Sequence, residues 1–168
     1  MSAGNPFYLH ELLLELGTLP VDSPTPDDLA KIAPESVSRA VFVRLSRLGP
    51  EAAAFARAVA ILGERAVFHH ATELAGLDET SATDAFDALA VAEILRGAEP
   101  LGFVHPLVAQ AIQAEIDPGE RTDLHRGAAR LLARDGAGPE EIAVHLAQAG
   151  GRGDAWAVAT LRDAANRA

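Results

Sequence analysis

The sequence predicts a mainly α-helical chain carrying one small β-hairpin. Three observations point there. Apolar residues recur at three- and four-residue intervals through most of the chain. Alanine supplies 35 of the 168 residues and aromatic residues only 5%, a composition suited to closely packed helices. Strand-like patterning occurs convincingly at one place only, between Glu93 and His105.

The elements follow in order. Leu9, Leu12, Leu13 and Leu16 form an apolar stripe, with Asn5 as cap, Pro6 in the first turn and Gly17 at the end. Pro20, Pro24 and Pro26 then enforce a loop. A short helix suits 27–33. Pro34-Glu35-Ser36 opens a longer one through Val37, Val41, Leu45 and Leu48, stopped by Gly49-Pro50. The next spans 51–62 with Phe55, Val59 and Leu62 on one face. A shorter helix near 68–74 precedes Gly76. Thr80 or Ser81 is the expected cap of a helix reaching about Leu95 through Phe86, Leu89 and Ala90. Residues 93–96 and 101–105 form the hairpin around Gly97 to Pro100. Pro106 starts a helix through Val108, Ala111 and Ile112. Residues 120–134 carry the stripe Leu124, Ala128 and Leu131. Pro139 starts a helix ending before Gly150-Gly151, and Asp154 caps a last one through Val158, Leu161 and Ala165. Three regions result: 1–33, 34–117 and 118–168. Within the middle one, three helices followed directly by a hairpin give the order of a winged helix. The last consists of antiparallel, TPR-like helical hairpins. The first helix begins so close to Met1 that a segment of a longer chain is the expected context.

Charge and composition exclude several function classes. The 24 acidic and 14 basic side chains leave a formal charge of −10, against the basic footprint of a general nucleic-acid or anionic-membrane binder. Cysteine is absent, and with it disulfides, thiol nucleophiles and cysteine metal sites. No stretch approaches the roughly 18 apolar residues of a membrane helix, and no secretory signal opens the chain. A cytoplasmic protein is the default expectation.

Catalytic patterns are missing as well. There is no G-x-S-x-G, no H-E-x-x-H and no phosphate loop. The expected catalytic set is therefore none, and the chain alone is expected not to be an enzyme. His69-His70 with Glu73 could share a helical face, but without further ligands surface histidines are the better reading and no metal is expected. Glu140 and Glu141 suit the positive end of a helix dipole.

Two places stand out as candidate binding residues. Gly4-Asn5-Pro6 combines a close-approach backbone with a flat apolar ring, which could line a planar ligand or simply cap a helix. In Phe103-Val104-His105-Pro106-Leu107, the proline restricts His105 to extended backbone and presets the next helix. His105 then stands at a helix N-terminus, where an imidazole can meet a phosphate or be satisfied by local backbone. The candidate recognition helix, 81–96, carries Asp84, Asp87 and Glu93, with Arg96 its single base. A groove-reading helix needs the opposite balance, so direct nucleic-acid contact is not expected.

Taken in order, these motifs resemble a known family. Gly4-Asn5-Pro6-Phe7 is followed by Pro34-Glu35-Ser36-Val37, Arg44-Leu45-Ser46-Arg47-Leu48 and Ala58-Val59-Ala60-Ile61-Leu62-Gly63. Phe103-Val104-His105-Pro106-Leu107-Val108, Arg121-Thr122-Asp123-Leu124-His125 and Ile142-Ala143-Val144-His145-Leu146 complete the series. It resembles the region after the nucleotide-binding core of large LuxR-type transcriptional regulators with a STAND, AAA-like ATPase module. The resemblance implies that 1–33 ends a helical lid, 34–117 is a winged-helix domain and 118–168 begins a helical-repeat region. It implies that Gly4, Asn5 and Pro6 match an element packing on adenine, and that His105 matches a histidine contacting ADP phosphates. ATP or ADP, with Mg, would be the cofactor of the longer parent and not of this chain alone. The partners implied are an intramolecular nucleotide-binding domain and, through the repeats, an inducer or protein. Walker A and B motifs and a C-terminal DNA-binding helix-turn-helix are absent from these 168 residues, and Ala109 stands where relatives often carry arginine. A helical protein-binding adaptor and a stand-alone DNA-binding winged helix are the alternatives.

Overall fold

The computed structural model describes residues 41–97, 99–150 and 154–167. Over these the chain is mainly helical, with one two-stranded antiparallel hairpin. A helix over 41–48 (α1) is followed by α2 (Pro50–Leu62), a 3-10 turn (Gly63–Arg65), α3 (Phe68–Ala75) and α4 (Glu79–Val91). Then come β1 (Leu95–Arg96), β2 (Gly102–Phe103), α5 (Pro106–Glu115), α6 (Pro118–Arg134), α7 (Pro139–Gln148) and α8 (Ala155–Arg167). No helix among the described residues is long and apolar enough to cross a membrane.

The α1/α2 break has a backbone cause. Gly49 adopts φ +97°, a region that side-chain-bearing residues avoid, and Pro50 then presets the first turn of α2. Phe55, Val59 and Leu62 are buried along α2, as their spacing requires. This helix is the hub of the first core: it packs on α3, α4, α5 and α6. Phe55, Phe68 and Phe86 bring α2, α3 and α4 together, with ring centroids 5.5, 6.4 and 6.2 Å apart and two of the three contacts edge-on.

The hairpin pairs Leu95 with Phe103 and Arg96 with Gly102. The Leu101 N–H donates to the Ala66 carbonyl at 2.7 Å, so the hairpin also holds the extended segment before α3. The α3 N-terminus has no side-chain cap of its own, and Glu99 supplies one: its Oε1 accepts the Phe68 N–H at 2.9 Å. The elements α2, α3, α4 and hairpin therefore follow the order of a winged helix, tied together by long-range bonds.

Three local expectations are corrected. Asp78, not Thr80 or Ser81, caps α4, because its carboxylate accepts both the Ser81 N–H (2.8 Å) and the Ser81 hydroxyl (3.0 Å). That helix ends at Val91, short of Leu95, where Glu93 at φ +54° turns the chain into the hairpin. On α8 the buried stripe is Ala157 and Ala164 with Leu161 beside it, while Val158 is 47% exposed and Ala165 is exposed. Ala157 and Leu161 join this side of α8 to the core it shares with α7.

The second core gathers Ala129, Leu132, Ile142, Leu146 and Ala157, with Trp156 and Leu161 packed against it. Helix α6 serves both cores. Leu124 and Ala128 face the first, and Ala129 and Leu132, one position further round, face the second. Gly127 permits this position: a Cβ there would lie 3.0 Å from Leu74 Cδ1, so α3 and α6 approach at a glycine.

Candidate functional site

His105 is the N-cap of α5, with extended backbone as the following proline dictates. Its Nδ1 accepts the Leu107 N–H at 3.2 Å. His105 thus caps its own helix. Gly4, Asn5 and Pro6 lie outside the described residues.

The exposed positions of α4 include Thr83, Asp84, Asp87 and Val91, and the helix contains no lysine or arginine. The exposed side chains of this helix are therefore acidic or uncharged.

Two polar seams flank α6. The first joins α3 to the turn after α6. His70 Nε2 lies 2.7 Å and His69 Nε2 3.3 Å from the same oxygen, Asp135 Oδ2. The opposite oxygen, Oδ1, accepts from Arg134 Nε at 3.1 Å. The Arg134 fork also grips both oxygens of Glu73 at 2.7 Å, the bidentate geometry guanidinium favours. Hydrogen bonds from His70, then Arg134, then His69 lower the Asp135 carboxyl to about 2, and the Arg134 bond lowers Glu73. Glu73 and Asp135 in turn raise Arg134.

The sequence reading placed His69 and His70 on the surface. His69 fits, but His70 is only 9% exposed, because the α6–α7 turn lies over it. Glu73, the carboxylate that could share a helical face with them, is turned to Arg134. Asp135, 65 residues from His70, takes its place.

The second seam lies between α6 and α7. His125 Nδ1 and His145 Nδ1 are 3.1 Å apart, and His145 is 5% exposed. Such a contact is a hydrogen bond only if one nitrogen carries a proton and the other does not. Burial, then the neighbouring His145 and Arg121, lowers His125 to about 4. Burial lowers His145 too, with Glu141 acting the other way. The pair is therefore neutral near pH 7. The sequence carries a signal for this pair: His125, Ala129 and Leu132 form a second stripe on α6, and His145 precedes the buried Leu146.

Glu140 and Glu141 stand in the first turn of α7, as their sequence position suggests, and Glu141 also pairs with Arg65 at 2.8 Å. Between α3 and α6 runs an open cleft of about 680 Å³, with Glu73, Glu120, Asp123, Arg130 and Arg134 among its lining residues. No family model matches the chain, and no curated protein or solved structure is significantly similar to it.

Proposed function

We propose that this chain is the non-catalytic lid, winged-helix and early-repeat portion of a nucleotide-switched regulator of the LuxR type with a STAND ATPase module. In this reading it couples the ATP or ADP state of a neighbouring nucleotide-binding domain to output. The single observation that carries the reading is His105. It stands at a strand-to-helix junction as the N-cap of α5, its Nδ1 accepting the Leu107 N–H. An imidazole at a helix N-terminus can meet a phosphate, and the positive helix end favours the same charge. The ordered motifs of the sequence support it, as does the acidic face of α4, which is suited to an internal contact and not to DNA.

The test uses the protein that includes the nucleotide-binding domain. There, H105A is expected to weaken ADP on the order of tenfold or more, the scale of a charged or strongly polar hydrogen bond, and to raise basal output. Unchanged ADP affinity refutes the assignment. A helical protein-binding adaptor is the second reading, favoured by the exposed Val144 and Val158 on α7 and α8 (63% and 47%).

A further inference from the structure

We propose that His69, His70 and Asp135 form a site for a divalent transition-metal ion of the zinc class, clamping α3 to the turn between α6 and α7. The geometry comes first. Two imidazole Nε2 atoms converge on one carboxylate oxygen at 2.7 and 3.3 Å, and the three ligand atoms lie within 4.8 Å of one another. Zinc bonds to nitrogen and oxygen of about 2.0–2.2 Å set tetrahedral ligand atoms about 3.3 Å apart. The His69–Asp135 spacing already has that value. The His70–Asp135 spacing must open from 2.7 to about 3.3 Å, about 0.6 Å.

The surroundings prepare the carboxylate. Arg134 holds Asp135 Oδ1 and leaves Oδ2 toward the histidines, while Glu73 fixes Arg134. Ligating carboxylates are commonly oriented by such an outer bond. One positive and two negative side chains leave the cluster at 1 − 2 = −1 with neutral imidazoles, which favours a cation.

The donor set selects the ion. Imidazole with a single carboxylate suits Zn²⁺, Co²⁺ or Ni²⁺, whereas Mg²⁺ and Ca²⁺ want oxygen. To ligate, each imidazole must present Nε2 as an acceptor, with any ring hydrogen on Nδ1. His70 Nδ1 is buried without a partner. The missing outer bond places the site on the order of 10–100-fold below one with a complete outer set. His69 is 65% exposed at its side chain, so water can reach the fourth position. These features describe a reversible clamp between the first core and the helices that follow.

The test titrates the chelator-treated 168-residue chain with Co²⁺. The expected result is one equivalent bound with visible ligand-field absorption, displaced by Zn²⁺ and not by millimolar Mg²⁺, and a higher Tm. H69A changes an exposed residue and is expected to keep the metal-free Tm while weakening Co²⁺ at least tenfold. D135N is expected to weaken it similarly, and H125A to leave it unchanged. Unaltered Co²⁺ affinity in H69A, its loss in H125A, or displacement by Mg²⁺ each overturns the proposal.

Discussion

His70 and His145 are almost equally covered, 9% and 5% exposed, and each meets a partner at an edge of α6. Their partners differ. His70 meets a carboxylate that three neighbours keep ionised, down to about 2. His145 meets another imidazole, in a pair that burial keeps uncharged. One seam of α6 holds charge and the other excludes it. Burial alone therefore does not say what a histidine is doing; the ionisation of its neighbour does. The charged seam belongs to α3 and the α6–α7 turn at the surface, where water and ions can enter. The neutral one belongs to the second core, where a misplaced proton must be repelled.

The comparison breaks most sharply at His145. H145A removes a buried ring and leaves His125 without its partner, so a loss of roughly 2–3 kcal/mol is expected in denaturant unfolding. Replacing both rings, H125L with H145L, is expected to recover most of that loss, since no polar group is then stranded. A double variant as unstable as H145A would show that the imidazole contact itself, and not its half-broken form, carries the stability.

The next effect is on pH. The folded value of His125, about 4, lies below its ordinary value near 6.5. The unfolded chain therefore binds more protons between them, and stability is complete above about pH 6.5 and falls as pH drops toward 4. Discounted for partial exposure, the loss amounts to roughly 1–2 kcal/mol. The H125L/H145L double variant should flatten this limb of a stability-against-pH curve. An unchanged limb would move the acid response to another group.

How much of this was legible in the sequence follows from range. Phe55, Val59 and Leu62 on α2, and Leu124 and Ala128 on α6, declare their faces by spacing alone, and Pro106 and Pro139 mark helix starts. The extended backbone of His105 at the start of α5 was legible because Pro106 fixes it locally. Spacing alone marks Val158, whereas the second core takes Ala157 and Leu161 from α8. Asp135 was invisible beside His70 because 65 residues separate them. Glu73 was the local substitute, and Arg134, a residue no helix period connects to it, claimed it. Gly4, Asn5 and Pro6 lie outside the described residues, so the adenine-facing expectation rests on their sequence alone.

A smaller effect is expected at Gly127, beneath the charged seam. Glycine-to-alanine in a helix interior ordinarily stabilises by about 1 kcal/mol. Here the new Cβ would sit 3.0 Å from Leu74 Cδ1, and crowding of that kind costs roughly 1–3 kcal/mol. G127A is therefore expected to destabilise by about 1 kcal/mol net, measured by urea unfolding. A stabilised G127A would show that Leu74 yields freely and that α3 is not held tightly on α6.

The smallest effect separates the seams by salt. Glu73 and Arg134 are about half exposed at their side chains, 51% and 56%, so their bidentate contact is screened by mobile ions. E73Q keeps the side-chain volume and removes the charge. It is expected to lower Tm slightly in dilute buffer and not at all near 1 M salt, where the screening length falls to about 3 Å. The wild-type Tm should converge on that of the variant as salt rises. The neutral His125–His145 seam offers no such charge to screen, so the Tm deficit of H145A should persist at every salt concentration. If the H145A deficit also vanished in salt, the α6–α7 seam would be held by charge after all. If the E73Q deficit persisted, the Glu73–Arg134 fork would owe its strength to packing between α3 and α6 and not to its ions.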